Sequence, residues 1–195
     1  EQTHIDPWFI DQIAQLVEPA LSDGLPPSLS GAPPGRSVSL KPLQIVGNSI
    51  APLLEHRAAP LSVHFPVHAE QFNQNLNSQA QGAALLARGS LELWRRHLAV
   101  QLVFAVQAVL LRCSQRSLDW REALAPGSAQ LVRDVGGVLG VDLEHRDARL
   151  VETTAVPSFQ AWLDSLEEAL TRDPRWASVG GADEDPFATL SGAAS

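Results

Sequence analysis

From Ala69 to Cys113 the chain reads AEQFNQNLNSQAQGAALLARGSLELWRRHLAVQLVFAVQAVLLRC, and no proline follows until Pro126. Leu85, Leu86, Leu93, Trp94, Val100, Leu102, Val103, Val106 and Leu110 recur mostly at three- and four-residue steps. That spacing places apolar side chains on one face of a helix. It predicts one or two long helices, with the core of the molecule running from Gln79 to Arg112. A continuous helix would be about 65 Å long at about 1.5 Å per residue. Such a length is too great for a small compact domain. It suits long antiparallel helices in the bundle core of a larger, oligomeric, all-α protein.

The flanks agree with this reading. Asp11 to Leu21 carries Ile13, Leu16, Val17 and Leu21 at helical spacing, with Gly24 placed to cap its end. Leu25 to Lys41 is rich in proline and glycine and reads as a loop. Pro42 to Leu54 predicts a short helix that Pro42 can start and Pro52 should limit. His56 to Pro66 is irregular, Ser128 to Val138 is helical, and Pro157 to Leu170 is amphipathic. The organisation expected is a helical core over 1–120, a helical extension of the same fold over 121–179, and a mobile acidic tail over 180–195.

Composition narrows the function. A hydrophobic fraction of 45% supports a real core, and a net charge of −8 disfavours nucleic acid and anionic membrane surfaces as partners. The apolar run from Ala99 to Leu111 falls short of the ~20 residues a membrane span needs. One cysteine, Cys113, excludes an internal disulfide and fits the cytoplasm. The chain starts at Glu1 and contains no methionine, so it is expected to be processed or part of something longer. His64 and His68 stand four apart, but Pro66 lies between them and no third ligand accompanies them, so they read as surface or structural histidines rather than a metal pair. Trp94-Arg95-Arg96 reads as a helix face with arginine stems lying along it.

The chemistry lies in Glu70-Gln71-Phe72-Asn73-Gln74-Asn75-Leu76-Asn77-Ser78, which is dense in neutral amides around a single carboxylate. Solvated helix faces favour Lys and Glu, and amides are mediocre helix formers. On a helix, Glu70, Asn73, Gln74 and Asn77 share one side and Phe72 and Leu76 another. Such a face needs hydrogen-bond partners when buried. Two sources fit: a ligand carrying an amine and a carboxylate, or a buried amide network at a subunit contact.

This segment resembles the Glu-Gln-x-Asn-Gln-x-x-Asn-Ser motif of the aromatic amino acid ammonia-lyase and aminomutase superfamily, which includes phenylalanine and histidine ammonia-lyases. Histidine ammonia-lyases have glutamate where this chain has Gln74. Plant phenylalanine enzymes have histidine at the position of Phe72 and aspartate at that of Asn75, so this chain is more similar to bacterial phenylalanine-type members. Gly24-Leu25-Pro26-Pro27-Ser28-Leu29-Ser30-Gly31 resembles the family's Gly-Leu-Pro-x-x-Leu-Ser-Gly loop. Gln107-Ala108 and Leu111-Arg112 resemble the Gln-Ala-x-x-Leu-Arg end of its long core helix. The ordered set covers roughly Asp11 to Arg112; Leu143 to Asp147 sits where members often carry an acidic-Arg segment.

The resemblance implies the C-terminal portion of an enzyme that eliminates or shifts the amino group of a phenylalanine-like amino acid. It implies Glu70 and Gln74 as active-site residues, with Glu70 near the substrate amine, and Phe72 and Asn73 as supporting pocket residues. It implies the cofactor 4-methylideneimidazole-5-one, which the family forms from Ala-Ser-Gly, together with a catalytic tyrosine. This chain contains no Ala-Ser-Gly and no tyrosine, and the family's carboxylate-binding arginine motif lies upstream of the matched region. The chain alone is therefore expected to be inactive, and to complete its site with an N-terminal portion or subunit in a homotetramer. The competing reading is a non-catalytic helical assembly protein, or a degenerate relative, of the same fold. Elimination and amino shift are not distinguished by these residues.

Overall fold

A computed structural model describes residues 2–32, 37–64, 78–151 and 158–173, the side chains of 2–7 excepted. The described residues form six α-helices and two 3-10 turns, and no strand occurs among them. The helices are α1 (Gln2–Val17), α2 (Lys41–Arg57), α3 (Ala80–Gln115), α4 (Trp120–Ala123), α5 (Pro126–Leu139) and α6 (Phe159–Arg172). The turns are Pro27–Leu29 and Leu61–Val63. The all-α expectation holds.

Helix α3 is continuous for 36 residues, about 54 Å at 1.5 Å per residue. Its burial is uneven. From His97 to Cys113 one side is enclosed, with Val100, Val103 and Phe104 fully inaccessible, whereas Ala80 to Arg96 is exposed or half-buried. The core therefore begins near His97, not at Gln79. The reason lies in composition: the N-terminal half is broken by Arg88, Gly89, Ser90, Glu92, Arg95 and Arg96. Helix α3 is long and apolar enough by length and composition to cross a membrane, but 67% of its most hydropathic window is buried inside the protein, as in the core helix of a bundle.

Helix α2 packs antiparallel on α3. Gly47 faces Val100 and His97, Arg57 lies over Gly89, and Leu61 just beyond α2 meets Gly82. A Cβ on Gly47 would sit 3.3 Å from Val100, so glycine there permits close helix approach. Helix α1 runs with α3: Phe9 meets His97 edge-on with ring centroids 5.5 Å apart, and the turn after α1 reaches Arg112.

Two boundaries differ from expectation. Helix α1 stops at Val17 rather than near Leu21, because Pro19 has no amide hydrogen and disfavours helical backbone at Glu18. Leu21 is accordingly 66% exposed. Helix α2 runs through Pro52 to Arg57. Asn48 and Pro52 both face solvent, so water can satisfy the carbonyl that Pro52 leaves without a donor, and Leu54 beyond it is buried.

Helices α5 and α6 close the other side of α3. Gly140 ends α5 in the left-handed region at φ 66°, and the Val141 amide donates to the Gly136 carbonyl at 2.9 Å, a glycine-terminated helix end. Ser158 caps α6 by accepting from the Ala161 amide at 3.3 Å. Leu163, Leu166 and Leu170 join one hydrophobic cluster with Ile13, Leu43, Val103 and Trp120. Arg96, read from sequence as lying along its own helix, instead reaches α6: its guanidinium is 3.0 Å from Glu167 and 3.7 Å from Asp164, and donates to Gln160 at 2.7 Å.

Candidate functional site

Glu70, Phe72, Asn73 and Gln74 lie outside the described residues, as does His68. Their flanks are described. The chain leaves α2 through Ala58, turns at Leu61–Val63 and reaches His64; it resumes at Ser78, whose hydroxyl accepts from the Ala80 amide at 3.3 Å. These flanks sit together because Leu61 rests on Gly82, at 3.1 Å from where a Cβ would be, and the Arg57 guanidinium occupies the space over Gly89. A cavity of about 240 Å³ separates the two walls, lined by Leu54, Arg57, Pro60 and Leu61 on one side and Ala83, Leu86 and Ser90 on the other. Ser78, the last residue of the motif, thus leads into α3 beside a small, largely apolar cavity, with Arg57 the one cation among its described lining residues. Among the described residues no group of three His, Cys, Asp or Glu side chains is placed to hold a metal.

The other two motif segments meet at the opposite end of α3. Leu29 is fully buried at φ 53°, next to Ser28 at φ 54°, a backbone region that non-glycine residues rarely occupy. Three contacts hold the loop there. The Leu29 carbonyl accepts from Gln107 Nε2 at 3.0 Å and from the Ser39 hydroxyl at 3.1 Å. The Leu40 amide donates to the Ser28 carbonyl at 3.3 Å. Gln107 Oε1 in turn accepts from the Leu150 amide at 2.9 Å and the Val151 amide at 3.4 Å. One amide in an otherwise apolar stretch thereby ties the loop to the chain beyond α5.

Arg112 does similar work one turn later. Its Nη1 donates to the Asp23 carbonyl at 2.8 Å and its Nη2 to the Ser22 carbonyl, while the Asp23 carboxylate lies 3.5 Å away. Arg149 Nη1 donates to the Gly31 carbonyl at 2.7 Å. Sequence reading singled out Gln107 and Arg112 only as pattern matches, and Arg149 not at all. A polar signal existed: Gln107 is the kind of amide that must be satisfied when its helix face is buried. Arg149 had no local signal.

Several ionisable groups are perturbed. Arg121 beside Asp119, at 2.6 Å, lowers that carboxyl to about 2. Burial raises the Cys113 thiol, which suits an inert core residue rather than a nucleophile. Burial also raises the Glu167 carboxyl, and Arg96 offsets this only in part.

A family profile described as "Aromatic amino acid lyase" matches residues 3–135. A phenylalanine ammonia-lyase of Nostoc punctiforme is 47% identical over 135 residues, covering 68% of this chain and 24% of that protein. An aromatic ammonia-lyase of Loktanella atrilutea is 40% identical over 131 residues, 66% of this chain and 23% of that protein. A solved tyrosine aminomutase from Streptomyces globisporus superposes with a TM-score of 0.72 at 21% identity, covering 93% of this chain and 31% of that one; this likeness concerns the fold. The chain spans about a quarter of the length of these curated relatives.

Proposed function

The chain belongs to the aromatic amino acid lyase family, and from that premise we propose that it is the C-terminal part of an ammonia-lyase or 2,3-aminomutase acting on a phenylalanine-like amino acid. The observation that carries this reading is the profile match over 3–135, which runs through Glu70 to Ser78 and includes both other motif segments. In this reading Glu70 makes a charge-assisted contact to the substrate ammonium. Gln74 faces the ring, where an uncharged amide is less costly than a carboxylate beside apolar surface. Phe72 and Asn73 support them.

The described residues contribute the frame. Gln107 and Arg112 hold the Gly-Leu-Pro loop against α3, and the α2–α3 contact brings the two flanks of the motif together. The family's electrophilic cofactor supplies activation of the substrate when present. With no Ala-Ser-Gly and no tyrosine in these 195 residues, both the cofactor and the proton base come from outside the chain. The exposed N-terminal half of α3 supports assembly with further subunits, a homotetramer in this proposal, and the lone buried Cys113 is in keeping with the cytoplasm.

The test is kinetic, in a complete enzyme carrying this chain. Gln74→Glu raises KM for phenylalanine about tenfold or more through the cost of a carboxylate beside the ring. Glu70→Gln lowers kcat/KM through loss of the ammonium contact. Unchanged rates and Michaelis constants for both variants would remove this motif from catalysis. The isolated 195-residue chain gives no cinnamate absorbance with phenylalanine; turnover by it alone overturns the assignment.

A further inference from the structure

A second cavity, of about 790 Å³, opens between the Gly-Leu-Pro loop and the C-terminal end of α3. Its volume lies within the ~300–1,000 Å³ typical of small-molecule sites. It is at the far end of α3 from Ser78, where the Glu70–Ser78 motif joins that helix, so within one chain it is a separate place.

Its chemistry is distinctive for this protein. Pro27, Ala32, Val38 and Leu111 supply apolar wall, and among the described residues the charged ones lining it are Lys41 and Arg149. No Asp or Glu is among the described residues that line it, although the chain has a net charge of −8. The Ser114 hydroxyl in the wall donates to Asp147 Oδ1 at 3.4 Å. Arg149 donates to Gly31 through Nη1, yet its Nε is buried with no hydrogen-bond partner among the described residues. The Nη1 bond to Gly31 fixes the guanidinium at the cavity wall, where its positive charge, with that of Lys41, favours an anion.

We propose that this cavity binds a small organic carboxylate with an apolar body. The carboxylate lies with Arg149 and Lys41, where charge-assisted hydrogen bonds form, and the body rests on the proline, valine and leucine wall. A bare inorganic anion would use the cations but leave the apolar wall exposed to water. The proposal does not depend on the chain taking part in catalysis, because the site holds none of the residues assigned to the reaction.

Calorimetric titration of the 195-residue chain with phenylacetate tests it. Phenylacetate binds saturably, whereas phenylacetamide, of nearly the same shape but neutral, and inorganic phosphate each bind about tenfold or more weakly. Lys41→Glu, a change at an exposed side chain that leaves the fold intact, weakens phenylacetate by a similar factor, and Arg149→Gln does the same. Arg172→Gln, at the surface of α6, leaves binding unchanged. Absence of binding, equal binding of phenylacetate and phenylacetamide, equal binding of phosphate, or indifference to Lys41→Glu each overturns the proposal. Failure of the Glu70 and Gln74 kinetics leaves this site untouched.

Discussion

The Gln107 side chain, fully buried in the C-terminal third of α3, donates to the carbonyl of Leu29, a residue held at φ 53° in a loop 78 positions earlier. The same side chain accepts from the Leu150 and Val151 amides. Three segments that are remote in sequence therefore depend on one amide. The strain at Ser28 and Leu29 persists because this hydrogen bonding, with that of Ser39, leaves the loop no alternative place to go.

Gln107→Leu should consequently destabilise the fold by roughly 2–4 kcal/mol, since it leaves a buried carbonyl and buried amides short of partners. Gln101→Leu, two turns earlier on α3, should cost much less. Its Oε1 is buried without a hydrogen-bond partner among the described residues, so its removal orphans nothing there. Urea midpoints of the two variants check the contrast; equal losses would deny Gln107 its special role.

Arg112→Lys should destabilise by about 1–2 kcal/mol despite conserving charge, because an ammonium cannot reproduce the fork of a guanidinium onto the Ser22 and Asp23 carbonyls. Thermal unfolding at high salt separates the two contributions. The effect should survive salt, which screens the exposed Asp23 carboxylate more than the direct hydrogen bonds.

Adjacent glycines in α5 should respond in opposite directions. A Cβ on Gly136 would stand 2.7 Å from Leu143 and 3.1 Å from the Val141 carbonyl, whereas one on Gly137 meets nothing within 4 Å. Gly136→Ala is expected to cost about 1–3 kcal/mol by overpacking. Gly137→Ala is expected to stabilise by about 0.5–1 kcal/mol through helix propensity. Denaturant titration of the pair gives both signs in one experiment.

The pH dependence of stability should carry a signature of Glu167. Its carboxyl is raised in the folded state, chiefly by burial, and Arg96, though 3.0 Å from Oε1, makes no aligned hydrogen bond to that atom. A raised folded value means that the folded state binds more protons than the unfolded one between the two values. Stability from this group is full below the unfolded value and falls as pH rises through the folded one. Glu167→Gln should therefore flatten the decline in urea midpoint as pH rises above the ordinary carboxylate range; an unchanged slope would contradict it. Asp119, lowered to about 2 by Arg121, works in the opposite sense: its contribution is present above the ordinary carboxylate range and is lost as pH falls toward 2.

Much of the secondary structure was legible because it is a local property. Leu163, Leu166 and Leu170 repeat at the helical period and lie on the buried face of α6. The run from Val100 to Leu110 is likewise the enclosed part of α3. Helix ends were less legible where proline competes with burial. Pro19 ended α1 sooner than the apolar spacing suggested, while Pro52 did not end α2, because its lost hydrogen bond falls on the solvent side and Leu54 still has a core to enter. The motif Glu70 to Ser78 identified the family from residue order alone, and its residues from Glu70 to Asn77 lie outside the described ones.

What the sequence determined by itself, then, was the helical class and the family, since periodicity and motif order are written in neighbouring residues. What only the tertiary structure decided was which polar groups meet. Gln107 with Leu29 and Leu150, Arg96 with Glu167, and Arg149 with Gly31 are pairings between distant segments. Their partners are chosen by how helices pack, and hydrogen-bonding capacity in an isolated segment specifies that a buried group needs a partner without specifying which one.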